Sequence, residues 1–202
     1  LEVADISADT AVAWRLARAY HDLADLRPAA EREGLLRAGL DVARVALEQA
    51  EPASVDWAFS HKWVAIVLGA LGEFVATKEK VANSFAIKES LELASRKLTD
   101  DSSVQLALGE WCFKVATISW IEKNAAKMLF GQAPTSSLDE ALGFYERSWE
   151  IRPSKKAAYK LGLIHSKQGE PERARQWFEA ALGIAPAGDA DAELDRLVRG
   201  EL

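Results

Sequence analysis

The chain has 202 residues, of which 49% are apolar and 28% are charged, with only six prolines. This composition is typical of an ordinary soluble globular protein and excludes a disordered or fibrous chain. The net charge of −6 argues against general nucleic-acid binding, which needs a clustered positive surface. The single cysteine, Cys112, has no partner for an internal disulfide, so a reducing cytosolic compartment is the simplest interpretation.

Helical periodicity, with apolar residues three and four positions apart, runs through the whole chain, and no stretch alternates as a strand does. The pattern predicts an all-α fold of nine helices in antiparallel succession. They are expected at 8–25, 29–50, 55–74, 77–98, 102–130, 137–151, 154–168, 171–184 and 189–200. No run reaches the roughly 18 to 20 apolar residues of a membrane-spanning helix, so we expect no membrane span in this chain.

An internal repeat in the C-terminal part of the chain determines the predicted fold class. Residues 137–153 and 170–186 align at an offset of 33, which places Tyr145 at the position of Phe178. A tetratricopeptide unit, a pair of antiparallel helices, has nearly this length of about 34 residues. Gly162 is one of the small residues that let the two helices of the last unit approach closely. We therefore predict tetratricopeptide-type helical hairpins stacked in a right-handed solenoid.

The predicted organisation is a single repeat domain, residues 1–202. Its approximate units are 8–52, 55–99, 101–153 and 154–187, and a C-terminal capping helix follows at 189–200. The third unit is about eight residues longer than the standard repeat, because its first helix is predicted to continue to residue 130. The terminal helix combines apolar and acidic residues, as a helix does when it covers the last apolar face of a repeat array.

Several short motifs occur in the order found in one known family. They are WRLARAYHD at 14–22, HKWVAI at 61–66, Ile87-Lys88-Glu89, and the string 109–130 followed by Pro134, Thr135 and Glu140-Ala141-Leu142. In these motifs the chain resembles the regulator of microtubule dynamics family, over about residues 10–187.

The resemblance implies a cytoplasmic, tetratricopeptide-like protein that associates with microtubules and spindle poles and contributes to chromosome segregation. Its partner would be tubulin or a spindle-associated protein. The family also has a membrane-anchored branch that acts at contacts between the endoplasmic reticulum and mitochondria and can carry phospholipid. That branch supplies the first alternative, a module that binds phospholipid or tethers organelles; a general protein–protein adaptor is the second.

Three lysines on one predicted helix, Lys156, Lys160 and Lys167, form a candidate partner-binding groove together with Tyr159. Their spacings of four and seven project the lysines from one face, which lines the concave groove in the tetratricopeptide pattern. Residues 151–180 carry seven basic and three acidic side chains. Such a row would engage an acidic peptide, a tubulin tail or a phospholipid head group. The alternative is an ordinary solvated helix face.

A carboxylate clamp of the chaperone type is not predicted. Such a clamp needs a lysine and an asparagine in earlier units, and the matching places here hold Val64 and Leu68, or Leu106 and Glu110. The more apolar early groove would suit an acyl chain or an amphipathic helix instead.

A second candidate site is an apolar ligand groove formed by Trp63, Trp111, Phe113 and Trp120. Seven tryptophans in 202 residues is a high number, and Trp111 and Phe113, two positions apart, lie on different helix faces. Aromatic side chains at helical spacing usually pack in the core, so packing between units is the alternative to a ligand groove.

Catalysis is not predicted from the residues. The three histidines, His21, His61 and His165, fall on separate predicted hairpins, and a cysteine nucleophile at Cys112 would need a nearby base. Neither a phosphate-binding glycine loop nor a metal-ligand spacing occurs in the sequence. We therefore predict a non-catalytic binding protein without a cofactor or a metal ion, and one that does not bind nucleic acid.

Overall fold

The computed structural model of the chain describes residues 9–202, apart from the side chains of residues 120–122 and 125. These residues form ten α-helices, and no strand occurs among them, so the predicted all-α fold is confirmed. The helices are α1 (Thr10–Asp25), α2 (Ala29–Gln49), α3 (Val55–Leu71), α4 (Thr77–Lys97), α5 (Ser102–Thr117), α6 (Trp120–Phe130), α7 (Leu138–Ile151), α8 (Lys155–Lys167), α9 (Pro171–Gly183) and α10 (Asp189–Glu201). Among the described helices, none combines the length and apolarity that crossing a membrane requires.

The prediction of one long helix at 102–130 is wrong, because α5 ends at Thr117 and α6 begins at Trp120. The hydroxyl of Thr117 donates to the carbonyl oxygen of Phe113 at 2.8 Å, and such back-bonding by a β-branched residue weakens a helix. The carbonyl of Ser119 then accepts the first amide hydrogen bond of α6, from Lys123 at 3.0 Å. The other predicted helices end within three residues of their expected positions.

The helices group into two compact units, of which the first contains α1 to α4 and α6. Here α1 pairs with α2 and α3 pairs with α4, and α3 also contacts both α1 and α2. The core is rich in aromatic rings: Trp14 stacks on Phe59 with 4.4 Å between ring centroids, and its indole Nε1 donates to Asp56 at 2.8 Å. Helix α6 packs on α4.

The second unit contains α5 and α7 to α10. In this unit α5 pairs with α7 and α8 pairs with α9, while α7 also contacts α8. Side-chain caps fix two of the helix starts: Ser137 and Glu140 form a reciprocal capping box at α7, and Ser154 accepts from the amide of Ala157 at α8. The single domain predicted for residues 1–202, with its four units, stays a prediction.

Two glycines bring the helices of the second unit close together. A Cβ atom added at Gly109 of α5 would lie 2.8 Å from Cδ1 of Tyr145 on α7. One added at Gly162 of α8 would lie 2.5 Å from Cδ1 of Phe178 on α9. Both rings are buried, so in each hairpin an aromatic ring occupies the space that a side chain would need. The close approach predicted at Gly162 is confirmed, and the repeat-aligned rings have the same role in both hairpins.

The terminal helix α10 is attached to the second unit by a buried lysine. Lys155, in the first turn of α8, donates from Nζ to the carbonyl oxygen of Ala181 at 2.9 Å and also to the carboxylate of Asp195 on α10. An ammonium group is costly to bury unless it is paired, so these two partners fix its position. Val198 of α10 is fully buried beside Phe178 and completes the apolar core of this unit.

We expect alanine at Gly109 or Gly162 to destabilise the protein by about 1–3 kcal/mol, since the added methyl group would overlap a buried ring. Gly143 is the matched control: it is exposed in the middle of α7 and an added Cβ there meets no atom within 4 Å. Gly143→Ala should therefore stabilise the protein by about 0.5–1 kcal/mol. Denaturant midpoints measure all three variants, and equal stabilisation by the three substitutions would contradict the close approach.

We expect Lys155→Met to destabilise the second unit by about 1–3 kcal/mol, because the Ala181 carbonyl and the Asp195 carboxylate would lose their donor. Arg175→Met is the control, since Arg175 forms an exposed ion pair with Glu179 on α9 and should change stability by no more than about 0.5 kcal/mol. Hydrogen exchange should show faster exchange in α10 of Lys155→Met. Unchanged protection of α10 would show that the lysine does not hold the cap.

Candidate functional site

Three lysines surround one glutamate in the second unit. We call Lys114 of α5 with Lys156 and Lys160 of α8 the basic cluster; the glutamate is Glu110, on α5. Both α5 and α8 contact α7. The Nζ atom of Lys160 lies 3.3 Å, and that of Lys156 3.6 Å, from Oε1 of Glu110. Two of the three lysines predicted for the groove therefore meet at a single carboxylate.

The carboxylate of Glu110 is mostly buried, with 17% of the side chain exposed, and it remains charged. Burial acts to raise its pKa, but the positive charges of Lys156, Lys160 and Lys114 outweigh burial and hold the pKa below its ordinary value. The basic cluster and Glu110 together therefore carry three positive charges and one negative charge. This site keeps a net positive charge even though two of its ammonium groups have an internal partner.

Two aromatic rings adjoin the cluster. The Nζ atom of Lys160 lies 5.1 Å from the centroid of the Phe113 ring, within the range of a cation–π interaction. Lys160, which belongs to the predicted lysine groove, thus contacts Phe113, which belongs to the predicted apolar groove. The Tyr145 ring packs on Gly109, and its hydroxyl is buried near the Glu110 carboxylate. Burial, reinforced by the charge of Glu110, raises the pKa of Tyr145, so this phenol stays neutral.

The lysines differ in how far they are available to a partner. Half of the Lys156 side chain is exposed, whereas only 18% of Lys160 is exposed. Lys167 is exposed in the last turn of α8, two helical turns beyond Lys160. Lys114 of α5 is exposed as well. The outer positive charges available for binding are therefore those of Lys114, Lys156 and Lys167, and Lys160 lies deeper.

Tyr159 does not form part of the exposed lysine face on which it was predicted. It is buried in the core of the second unit, with its ring centroid 6.1 Å from that of Phe178. Burial, with a smaller contribution from Glu201, raises its pKa. The position one residue before Lys160 turns Tyr159 toward α9 and α10, since neighbouring residues on a helix face different directions. We therefore interpret Tyr159 as a core residue.

The aromatic residues of the predicted apolar groove fall into different parts of the structure. Trp63 is buried in the core of the first unit, 5.9 Å from the ring of His21, and its Nε1 has no hydrogen-bond partner among the described residues. Trp111 is buried in the second unit, and Phe113 is half-buried under Lys160. The side chain of Trp120 lies outside the described residues. The apolar ligand groove stays a prediction.

Three residues that the sequence analysis did not place in a site prove important. Glu110 had a signal, since it falls at a groove position matching the clamp of related repeats, but its lysine partners lie 46 and 50 residues further along the chain. Lys114 stands one helical turn after Glu110. Lys155 precedes the buried Ala158 by three residues, a spacing that places it on the inner face of α8.

The residues considered for catalysis have structural partners. The Nδ1 atom of His61 lies 3.3 Å from the hydroxyl of Ser90, and that of His165 lies 2.8 Å from the carboxylate of Glu170. Cys112 is buried in α5. No group of three histidine, cysteine, aspartate or glutamate side chains placed to hold a metal ion occurs among the residues that the structure describes.

Comparison with known proteins relates this chain to one family. The family described as "Regulator of microtubule dynamics protein 1-3" matches residues 1–201. The human regulator of microtubule dynamics protein 1 is 35% identical over 90% of this chain and 58% of its own length. The mouse protein of the same name is 33% identical over 93% of this chain and 62% of its own length. The rat regulator of microtubule dynamics protein 3 is 29% identical over 91% of this chain and 39% of its own length.

The chain thus spans about three fifths of the length of the first two relatives. Among solved structures, the crystal structure of MamA superposes with a TM-score of 0.52 at 15% identity, covering 87% of this chain and 77% of that one. This likeness supports the helical-repeat fold. The chain belongs to the regulator of microtubule dynamics protein 1-3 family.

Proposed function

We propose that this chain binds microtubules directly, through the basic cluster and Lys167, and that the acidic surface of tubulin is the target. The observation that carries the proposal is the convergence of Lys156 and Lys160 on the mostly buried Glu110, with Lys114 beside them. The names of the relatives supply the partner class, since the human, mouse and rat proteins described above are all called regulators of microtubule dynamics.

Local charge, not net charge, must provide the attraction. The chain carries a net charge of −6, so as a whole it is repelled by another acidic protein. Solvent-exposed charges separated by more than the Debye length, about 8 Å at physiological salt, are largely screened from one another. A partner in contact with the basic cluster therefore experiences mainly the nearby lysines, and distant acidic residues matter less.

Glu110 has two opposed effects in this proposal. Its ion pairs hold Lys156 and Lys160 in place before a partner arrives, which lowers the cost of ordering two flexible side chains. Its negative charge also cancels part of the field that would attract an acidic partner. Replacing Glu110 with glutamine should keep the shape and raise the net positive charge, so affinity for an acidic polymer should rise.

The cellular role follows from the partner. We propose that binding by this domain serves microtubule dynamics at the spindle and thereby chromosome segregation, with the protein associated with the cytoskeleton and spindle poles in the cytoplasm. The alternatives, a phospholipid-binding or tethering module and a general adaptor, stay predictions. The burial of Trp63 and Trp111 favours packing for these rings, and so lends no support to an acyl-chain groove.

We expect Lys156→Gln/Lys167→Gln to weaken co-sedimentation with stabilised microtubules by roughly fivefold, because about 1 kcal/mol is lost with two exposed cations. Lys78→Gln/Lys97→Gln, which removes two exposed lysines of α4 in the first unit, is the matched control and should bind as the parent chain does. Lys160 is left intact in both variants so that the buried Glu110 keeps a partner.

We expect Glu110→Gln to bind microtubules more tightly than the parent chain, with a steeper loss of affinity as salt rises. On microtubules whose acidic tubulin tails have been removed by limited proteolysis, Glu110→Gln and the parent chain should bind with the same affinity. If the parent chain stays in the supernatant at low salt, direct binding by this domain is wrong. Equal loss of binding in the α4 control would show attraction by net charge alone.

A further inference from the structure

Helix α1 carries an apolar stripe that the first unit buries only in part. The inward face of α1 supplies Ala13, Trp14, Ala17 and Ala24 to the core. A second set of residues, which we call the outer stripe, runs along the helix at spacings of four, three and four: Val12, Leu16, Ala19 and Leu23. Of these, Val12 is 43% and Leu23 37% exposed, Ala19 is exposed, and Leu16 is half-buried and packs against the core.

The spacing of the outer stripe is that of a helix which packs along another helix. Alternation of three and four residues keeps apolar side chains on one seam at 3.5 residues per turn, so that each can insert between side chains of a facing helix. Among the described residues of the first unit, α3 packs on α1, α2 and α4, whereas the main contacts of α1 are with α2 and α3. The outer stripe therefore has the form of a seam for a further helix.

The charges beside the outer stripe match those of a second copy of the same helix turned end for end. In an antiparallel pair, Val12 would face Leu23 of the other copy and Leu16 would face Ala19, and the two-fold symmetry repeats both layers. The residues that flank these layers on the solvent side are Arg15 and Asp22. In this register Arg15 of one copy stands opposite Asp22 of the other. The two-fold symmetry therefore gives two equivalent ion pairs.

We propose that α1 pairs antiparallel with α1 of a second copy of this chain, through the outer stripe and the flanking Arg15 and Asp22. The required charges are available, because their present contacts are exposed and weak. Asp22 lies 3.3 Å from Arg18 in a pair whose two side chains are both more than half exposed. Arg15 is exposed, donates to the carbonyl oxygen of Ala11 one turn earlier, and lies with its guanidinium carbon 4.1 Å from the centroid of the Trp14 ring. Exchanging such contacts for interchain pairs costs little free energy.

The contact area sets the strength of this association. A helix of 16 residues is about 24 Å long and presents one narrow seam, which places the interface at the small end of specific contacts. Dimerisation should therefore depend on concentration. A dimer would carry two basic clusters, and a polymer with many equivalent sites would bind both more tightly than one.

The first test is sedimentation velocity over a range of concentrations, in which the parent chain should shift from the mass of one 22.1 kDa chain toward twice that mass. Leu23→Glu should weaken the dimer at least about tenfold by burying a charge in the seam. Leu197→Glu is the matched control, since Leu197 is an exposed leucine on α10 of the second unit, and it should dimerise as the parent does. A parent chain that stays monomeric at every concentration overturns the proposal.

The register is tested by charge exchange and by cross-linking. Arg15→Glu and Asp22→Arg should each weaken the dimer, and the chain with both substitutions should dimerise again, because the two ion pairs are restored with reversed sign. An equimolar mixture of Val12→Cys and Leu23→Cys chains should form a mixed disulfide dimer under mild oxidation. The antiparallel pairing is overturned if the chain with both charge substitutions fails to dimerise. It is also overturned if disulfides form within each single-variant sample and not in the mixture. The monomeric variants keep the basic cluster, so their binding to microtubules tests the proposed function independently of dimerisation.

Discussion

The contact between a glycine and an aromatic ring, made once in each hairpin of the second unit, determines where the side chains of the candidate site lie. Tyr145 occupies the space beside Gly109, and Phe178 occupies the space beside Gly162. A larger residue at either glycine would force the helices apart. Because Glu110 follows Gly109 directly in α5, the same contact that closes the hairpin also places this carboxylate. The lysines of α8 reach Glu110 from the next hairpin.

Charge in the second unit is arranged in two ways that serve different purposes. Lys155 is buried, and its ammonium group is held by the Ala181 carbonyl and the Asp195 carboxylate, so it contributes to structure. Its neighbour Lys156 points the other way and keeps half of its side chain exposed beside Glu110. One residue of separation on a helix thus divides a structural lysine from a lysine available to a partner.

Much of the fold is encoded in patterns that a single sequence makes visible. The apolar periodicity and the offset between Tyr145 and Phe178 predict helices and hairpins, because both depend on local spacing. The break at residues 118 and 119 was missed, since apolar spacing continues across it while the hydroxyl of Thr117 turns back to Phe113. Helix existence was therefore easier to predict than helix continuity.

The site was predicted less completely than the fold. Spacing along one helix identifies Lys156 and Lys160 as neighbours on one face, and both lie beside the Glu110 carboxylate. That this face binds a partner stays a prediction. Their partner Glu110 comes from another hairpin, and such distant pairing leaves no local pattern. Tyr159 shows the converse error, because a residue adjacent to a groove position was assigned to the groove although it faces the core.

The central claim is that an acidic partner binds where Glu110 holds Lys156 and Lys160. The most direct measurement is a nuclear magnetic resonance titration of the isotope-labelled chain with a glutamate-rich peptide that has the composition of a tubulin tail. The account predicts saturable shifts concentrated at residues 109–114 and 155–160, with smaller shifts near Lys167, and weaker binding at higher salt. Shifts confined to the first unit, or no shifts at low salt, would contradict it.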